Sequence, residues 1–361
     1  MLMQSEEIAR IISEVIKRLD KEELTGFVAS AAPRAPAAPA QVVFQELGLE
    51  VRREVIRAMR KAAIANAERL AKMAVEETGM GRWQDKVQKN LICATRTPGV
   101  EDLVSRAYTG DKGLTLVEYA PYGVVAAITP STNPAATIIN NAISIIAAGN
   151  AVVFAPHPAS FKTCVETMRL LCEAAVAAGA PSGLITTYEK PSQDNTKNLL
   201  SHPDPRVNMV TGGPAIVKVA MTAGKTCKTI AAGPGNPPVV VDDTANFPKC
   251  AQDVIFGASF DNNVLCTAEK EVIVTAAARD RFLAAMRGDP RAFELNAAQT
   301  EALVKLVIKV GGRGCKDPVL NRDFVGKDAS VLAKGIGLEI PAGARLLWAE
   351  VPNDHTLVWT E

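Results

Sequence analysis

The feature that most constrains the fold is an alternation of short apolar runs with helical segments in the middle of the chain. The uncharged run YGVVAAITP (122–130) is followed by a helical segment (131–150) and a second apolar run, AVVFAP (151–156). Continuous apolar runs of this length are typical of parallel strands that are buried on both faces. Two such strands joined by a helix form a βαβ unit, so the sequence predicts an α/β fold.

The alternation continues along the chain. The further elements that we predict are a helix at 160–179, strands at 184–190 and 207–213, helices at 195–203 and 214–224, and closing strands at 228–233 and 237–243. This series predicts a doubly wound domain with its ligand crevice at the carboxyl ends of the strands. Before it, residues 51–82 are typical of two helices, and LTLVEY (114–119) alternates like an exposed or pairing strand.

Two polar turns stand at predicted strand ends. One is STNP (131–134) and the other is TGGP (211–214), which opens a helix. Glycines let a ligand approach the backbone, and a helix N-terminus offers amide donors to a phosphate, so the pair indicates a nucleotide cofactor. The alternative is that the glycines are there for steric reasons, because no GxGxxG spacing is present.

Composition excludes several functions. With 40 Lys and Arg against 39 Asp and Glu, the chain has no basic footprint for nucleic acid or an anionic membrane. Seven cysteines without a CxxC pair, and only three histidines, argue against a disulfide scaffold and a zinc site and fit a reducing, cytoplasmic compartment. No apolar run reaches the roughly 18 residues of a membrane span, so we predict neither a span nor a secretory signal.

The N-terminus carries a distinct element. An apolar stripe at helical spacing is formed by Ile8, Ile11, Ile12, Val15, Ile16 and Leu19. An Ala/Pro-rich stretch follows, which is typical of a semi-rigid spacer. The residues alone leave open whether this helix docks on a partner or packs against its own domain.

Cys266 is the candidate nucleophile. It lies between polar and charged residues in NNVLCTAEKE (262–271). Thiolates are the strongest side-chain nucleophiles near neutral pH. The alternative is that Cys266 packs as a small hydrophobic residue, as buried cysteines commonly do.

Six separated motifs together resemble the aldehyde dehydrogenase superfamily. In chain order they are ETGMG (77–81), PYGVVAAITPSTNP (121–134), AGNAVVFAPHP (148–158), VTGG (210–213), AAGPGN (231–236) and NNVLCTAEKE (262–271). Within the superfamily they are similar to the CoA-acylating branch of bacterial microcompartments, the propionaldehyde and acetaldehyde dehydrogenases. The resemblance covers nearly the whole chain from Glu46 onward.

The resemblance implies a role for individual residues. Cys266 would attack the aldehyde carbonyl, and loss of hydride to nicotinamide would leave an acyl thioester. Asn133 is similar to the family's asparagine whose amide, with the backbone N–H of Cys266, donates to the oxyanion. The residues implied for binding NAD are Thr129, Pro130, Ser131, Thr132, His157, Thr211, Gly212, Gly213, Gly233 and Glu361.

Departures from the family pattern refine this prediction. Hydrolytic members carry a glutamate general base in the segment that here spans 229–238, which contains no carboxylate. Without a base to activate water, the resemblance implies acyl transfer to coenzyme A. The family's adenosine-ribose lysine is replaced by Ala155, with His157 close by in sequence, and the lack of a basic residue favours NAD over NADP.

The resemblance also implies a domain plan. It comprises a targeting helix (1–20), an Ala/Pro linker (21–41), a Rossmann-type NAD domain (42–235) with a pairing strand near 112–122, and an α/β catalytic domain (236–361). Glu361 stands in the place of the family's glutamate that holds the nicotinamide ribose. We therefore expect an aldehyde dehydrogenase-like fold whose catalytic domain is incomplete at its C-terminus.

Partners and location follow from the same branch. The expected partners are a small aldehyde, CoA and a microcompartment shell protein that binds residues 5–19, with homo-oligomers in the full-length form and a cytoplasmic location inside a microcompartment. Two alternatives stay open. The chain could be a truncated, inactive homologue that retains nucleotide binding or shell docking, or it could be a hydrolytic aldehyde dehydrogenase.

Overall fold

The computed structural model describes residues 37–223, 227–311 and 319–360. The chain divides into an N-terminal unit, which joins Lys86–Gly233 to the residues up to Thr78, and a C-terminal unit, which joins Gly79–Asp85 to Pro234–Glu361. The predicted targeting helix lies outside the described residues.

The N-terminal unit is built around parallel strands. Its elements are α1 (Ala37–Glu46), α2 (Gly48–Ala65), α3 (Ala67–Thr78), α4 (Trp83–Arg96, with its first turn grouped in the C-terminal unit), β1 (Arg106–Gly110), β2 (Gly113–Val117), β3 (Val124–Thr129), α5 (Pro134–Ala147), β4 (Ala151–Pro156), α6 (Phe161–Ala177), β5 (Ile185–Thr187), α7 (Gln193–Ser201), β6 (Pro205–Thr211), α8 (Pro214–Met221) and β7 (Lys228–Ala232).

Five of these strands form one parallel sheet in the order β5-β4-β3-β6-β7. Along the chain, β4 and β5 are added on one side of β3, and β6 and β7 are then added on its other side. The strand order therefore reverses between β3 and β6, where open α/β sheets bind ligands beyond the carboxyl ends of their strands.

Helices cover both faces of this sheet. Side chains alternate along each strand, so Val125 and Ala127 contribute to one buried cluster with helices α2, α5 and α6, while Ile128 contributes to a second cluster with α7 and α8. Every residue of β3 is buried, which explains its unbroken apolar sequence. The predicted doubly wound α/β fold is confirmed.

Two sequence expectations differ from the structure. The predicted closing strand at 237–243 pairs with a strand of the C-terminal unit and does not extend the five-stranded sheet. Residues 37–41 of the predicted linker are helical, because Ala40, Gln41 and Phe44 of α1 are buried. By contrast, an exposed strand does lie within 112–122: β2 forms an antiparallel hairpin with β1, and all residues of both strands are exposed.

The C-terminal unit contains smaller sheets. Its elements are β8 (Pro238–Val241), α9 (Phe247–Ser259), β9 (Glu271–Val274), α10 (Arg279–Arg287), β10 (Ala292–Glu294), α11 (Ala297–Val307), β11 (Ile308–Val310), β12 (Val319–Leu320), α12 (Ala329–Gly335) and β13 (Leu346–Trp348). Helices α9 and α10 bury Ile255, Phe282 and Met286 in a common core. Strand β8 lies parallel to β9, and β9 begins directly after the loop that carries Cys266.

Membrane-spanning helices are absent from the described part of the chain, since none of its helices is both long and apolar enough.

Candidate active site

The turn after β3 holds Asn133 in an unusual role. Asn133 occupies the position before Pro134, the first residue of α5, yet its side chain does not cap that helix, as asparagine commonly does there. Its Oδ1 instead accepts a hydrogen bond from Lys89 Nζ at 2.6 Å, and its Nδ2 donates to Thr132 Oγ1 at 3.1 Å. An asparagine amide has two N–H bonds, so this contact leaves a second donor direction on Nδ2.

Two buried lysines support this turn. Lys86 and Lys89 lie one helical turn apart on α4 and are only 3% and 7% exposed. Lys86 Nζ donates to the backbone oxygen of Thr132 at 3.0 Å. Buried ammonium groups need partners of this kind because desolvation of a charge is costly. The turn after β3 is therefore backed by positive charge, which favours negative charge that develops at the turn.

The turn after β6 contains two glycines with different roles. A Cβ on Gly212 would lie 2.7 Å from Ile216 Cγ2, so this glycine is required by packing. Gly213 has an ordinary φ of −67° and a Cβ there would meet nothing within 4 Å. Gly213 precedes α8, so its open face exposes a helix N-terminus. The arrangement fits the phosphate of a nucleotide.

Other predicted cofactor residues lie at the same edge of the sheet. His157 directly follows β4, is exposed, and donates its backbone N–H to the oxygen of Thr129 at 3.2 Å. Its Nδ1 accepts from the N–H of Ala159 at 3.1 Å. Gly233 directly follows β7, and a Cβ there would also meet nothing within 4 Å. The carboxyl ends of β3, β4, β6 and β7 thus gather the predicted NAD residues of the N-terminal unit, whereas Glu361 lies outside the described residues.

Cys266 lies on an exposed loop of the C-terminal unit. Three consecutive residues before it, Asp261, Asn262 and Asn263, have positive φ angles of 51°, 52° and 60°. Left-handed backbone costs energy for residues other than glycine and persists only where surrounding contacts enforce it. Such strain is typical of functional sites, where a loop must be held in one conformation.

The contacts that enforce this conformation come from the side chains of the strained residues. Asp261 is fully buried, and its Oδ1 accepts from the backbone N–H of Arg82 at 2.7 Å. Asn262 Nδ2 donates to the oxygen of Gly326 at 3.0 Å, and Asn263 Nδ2 donates to the oxygen of Ala258 at 2.8 Å. Each strained residue is therefore tied to a separate part of the C-terminal unit.

Lys270 closes the loop from the other side. Its Nζ donates to Asn263 Oδ1 at 2.5 Å and to the backbone oxygen of Leu265 at 3.1 Å. The oxygen of Leu265 and the N–H of Cys266 belong to the same peptide group. The ammonium group therefore fixes the peptide plane that carries the N–H of Cys266.

Gly235 lies against the backbone of Cys266. A Cβ on Gly235 would stand 2.3 Å from the oxygen of Cys266, so only glycine permits this approach. Gly235 belongs to the segment 229–238, which contains no carboxylate. The side of the cysteine loop that faces Gly235 is therefore formed by a segment with no side-chain base.

The exposure of Cys266 distinguishes it from other described cysteines. Burial raises the pKa of Cys93, Cys172 and Cys250, and it raises the pKa of Cys164 to about 12. These thiols are disfavoured as thiolates near neutral pH. Cys266 is exposed and is available to an external electrophile.

Comparison with known proteins shows to which family the chain belongs. The model of the aldehyde dehydrogenase family matches residues 12–303. The acetaldehyde dehydrogenase (acetylating) EutE of Salmonella typhimurium is 47% identical over 333 residues, which are 92% of this chain and 69% of that protein. The chain belongs to the aldehyde dehydrogenase family.

Solved structures agree with this aldehyde dehydrogenase assignment. A propionaldehyde dehydrogenase from a fucose utilisation microcompartment of Clostridium phytofermentans matches with a TM-score of 0.83 at 43% identity, over 89% of this chain and 72% of that one. A Rhodopseudomonas palustris propionaldehyde dehydrogenase with bound CoA and an acylated cysteine has a TM-score of 0.83 at 40% identity, over 93% of this chain and 74% of that one. The predicted resemblance to acylating microcompartment enzymes is confirmed.

Sequence reasoning missed the lysines of this aldehyde dehydrogenase. Lys86 and Lys89 lie in the polar segment QDKVQKNL, which is typical of a solvated helix face, and Lys270 lies among other charges. Nothing in the local pattern separates a buried lysine from an exposed one. Within the described ranges, no group of three or more His, Cys, Asp or Glu residues could hold a metal ion.

We expect Gly213→Leu to weaken cofactor binding at least about tenfold. A side chain at this open position would fill the approach to the N-terminus of α8. The fold should lose only about 1 kcal/mol of stability, since leucine is a poorer N-cap than glycine. Fluorescence titration with NADH measures the dissociation constant. Gly343→Leu is the matched control, because Gly343 is another open glycine, in the C-terminal unit; equal affinities of the two variants would contradict the assignment.

Proposed function

We propose that this chain is a CoA-acylating aldehyde dehydrogenase that oxidises a short aliphatic aldehyde, acetaldehyde or propanal, to the acyl-CoA with NAD. The observation that carries the proposal is the exposed Cys266 on a loop fixed by three left-handed residues, beside a segment that offers no carboxylate. A nucleophile held in this way can carry an acyl group that water does not readily remove.

The first half-reaction forms a thioester on Cys266. The thiolate attacks the aldehyde carbonyl carbon, and the carbonyl oxygen becomes an oxyanion, which Asn133 Nδ2 and the backbone N–H of Cys266 stabilise by donation. Collapse of the oxyanion to a carbonyl expels the aldehyde hydrogen as hydride and leaves the acyl thioester. NAD supplies the hydride acceptor when it is bound, and the open glycine turn at Gly213 is proposed to hold its phosphates.

The second half-reaction transfers the acyl group to coenzyme A. Hydrolysis would need a general base to activate water, and segment 229–238 supplies no carboxylate. Of the two glutamates nearest to Cys266 in sequence, Glu271 accepts a hydrogen bond from Asn236 Nδ2, and the carboxylate of Glu269 lies against Gly257. A thiol attacks a thioester with less assistance than water, so CoA is the acceptor that these residues favour.

The remaining assignments extend the proposal. NAD is favoured over NADP because Ala155 stands in place of the family's lysine, and a direct comparison of the two cofactors tests this preference.

Residues 5–19 are proposed to bind a microcompartment shell protein, which places the enzyme inside a cytoplasmic microcompartment. The exposed hairpin β1–β2, with Tyr108, Leu114 and Leu116 each more than half exposed, is proposed to pair subunits of a homo-oligomer.

A coupled assay tests the function. Protein is mixed with acetaldehyde or propanal, NAD and CoA, while NADH absorbance and acyl-CoA are followed. We expect steady NADH formation that requires CoA and yields one acyl-CoA per NADH. NADH formation without CoA that yields the free acid would establish hydrolytic oxidation. Retained NAD binding without turnover would identify a catalytically inactive homologue.

A further inference from the structure

The two proposed oxyanion donors share a structural feature. Each donor is the N–H end of an amide, and the carbonyl end of the same amide accepts a hydrogen bond from a lysine ammonium. For the side chain of Asn133 the contact is Lys89 Nζ to Oδ1 at 2.6 Å. For the peptide group that ends in the N–H of Cys266 the contact is Lys270 Nζ to the oxygen of Leu265 at 3.1 Å.

Lys89 determines which end of the Asn133 amide is available to a ligand. An ammonium group donates three hydrogen bonds and accepts none, so it can face Oδ1 but not Nδ2. With Oδ1 held by Lys89, the amide cannot flip, and Nδ2 is directed away from the ammonium. Lys89 is 7% exposed, so its charge acts in surroundings where electrostatic interactions are stronger than in water.

The same contact polarises the amide. An ammonium bound to the oxygen draws electron density toward the oxygen and makes the N–H end a better donor, because hydrogen bonds in a chain strengthen one another. Charge-assisted hydrogen bonds such as this one are also roughly twice as strong as neutral ones. Lys270 acts in the same manner on the Leu265–Cys266 peptide group, which it also holds in plane through its second contact with Asn263 Oδ1.

We propose that Lys89 and Lys270 are positioning residues that orient and polarise the two amide donors of the oxyanion site. This inference rests on the proposed function, since the lysines gain their role only if Asn133 and the N–H of Cys266 are the oxyanion donors. It adds that the donors are preorganised by ammonium groups within their own units, before substrate binds. Preorganised donors of this kind lower the barrier to oxyanion formation because they need not reorient during the reaction.

A purely structural role is the competing explanation. Lys89 could serve only to fix the turn after β3 to α4, and Lys270 could serve only to close the cysteine loop. A structural role lowers stability and every activity of the site together. A positioning role lowers the rate of oxyanion formation and leaves unchanged those reactions of Cys266 that form no oxyanion.

A double-mutant cycle tests Lys89. The variants are Lys89→Met, Asn133→Ala and the pair together, and the readout is the single-turnover rate of NADH formation with aldehyde and NAD but no CoA. We expect Lys89→Met to lower this rate by roughly 10- to 100-fold, within the range known for oxyanion donors. The double variant should match Asn133→Ala within about twofold, because Lys89 acts through Asn133. The proposal would be overturned if the rate loss of the double variant equalled the product of the two single-variant losses. A wild-type rate for Lys89→Met would also overturn it.

Alkylation of Cys266 by iodoacetamide tests the role of Lys270. In this reaction the thiolate displaces iodide and no oxyanion forms, so it needs no oxyanion donor. We expect Lys270→Met to lower single-turnover NADH formation by roughly 10- to 100-fold. The plateau of its Cys266 alkylation rate at high pH should stay within about twofold of wild type, as the thiolate is then fully formed. A plateau that falls in proportion to the NADH rate would assign Lys270 a structural role only.

Two controls separate this inference from the proposed function. Lys72→Met and Lys249→Met remove surface lysines that pair with Glu68 and Asp253 within their own helices, and both should keep the wild-type rate. A wild-type chain that forms no NADH from aldehyde would refute the proposed function itself. An active wild type with unaffected lysine variants would refute only the positioning role.

Discussion

Replacing Cys266 with serine is expected to lower aldehyde-dependent NADH formation by at least about 10³-fold, as removal of a covalent nucleophile commonly does. A serine hydroxyl is not ionised near neutral pH. Segment 229–238, whose Gly235 lies against the backbone of Cys266, contains no side-chain base that could activate it. The side chain is exposed, so the change of one atom should leave the fold intact. NADH absorbance with saturating aldehyde, NAD and CoA measures the loss, and thermal unfolding measures stability.

Cys250→Ser is the matched control for this experiment. Cys250 belongs to the same unit and is half-buried, and burial raises the pKa of its thiol. The control variant should keep most of the wild-type rate. If Cys266→Ser retained more than a tenth of the wild-type rate, or if Cys250→Ser lost as much, a covalent role for Cys266 would be untenable.

Replacing Asn133 with aspartate is expected to lower the turnover number by about 10²- to 10³-fold, the usual cost of losing one oxyanion donor. The carboxylate keeps the shape of the amide and still accepts a hydrogen bond from Lys89 Nζ, but it cannot donate. Its negative charge also opposes the developing oxyanion. Because a carboxylate pairs with the buried ammonium at least as well as an amide does, the variant should unfold at the wild-type temperature or above it.

The combination of lost activity and retained stability is the informative outcome. A turnover number within threefold of wild type would remove Asn133 from the mechanism, and a lowered unfolding temperature would show that the Lys89 contact differs from that described. Asn195→Asp in α7 provides the control, since Asn195 Nδ2 donates to the backbone oxygen of Lys190, only five residues earlier in the chain. It should leave the turnover number unchanged.

The sequence predicted the central sheet well because its strands are buried on both faces. Strand β3 contains no charge, and the glycine and proline turns around it mark its ends. For the strand at Pro238–Val241 the sequence predicts the wrong sheet, because a short apolar run does not reveal its hydrogen-bonding partner. The start of α1 was also missed, since proline and alanine in sequence do not show that Ala40 and Phe44 are buried.

The candidate site was only partly predictable. Cys266, Asn133 and the glycine turns are candidates on sequence alone, because their motifs each lie on a single loop. The supporting lysines were not found, because burial of Lys89 depends on how α4 packs against the turn after β3. The left-handed backbone at Asp261–Asn263 gave no sequence signal beyond its two asparagines, which tolerate this conformation better than most residues.

Mass spectrometry of the protein after incubation with propanal and NAD, without CoA, tests the central claim most directly. The account predicts that the peptide containing Cys266 gains the mass of one propanoyl group, that other cysteine peptides stay unmodified, and that later addition of CoA removes the group as propanoyl-CoA. A Cys266 peptide that stays unmodified while NADH is formed would contradict the account.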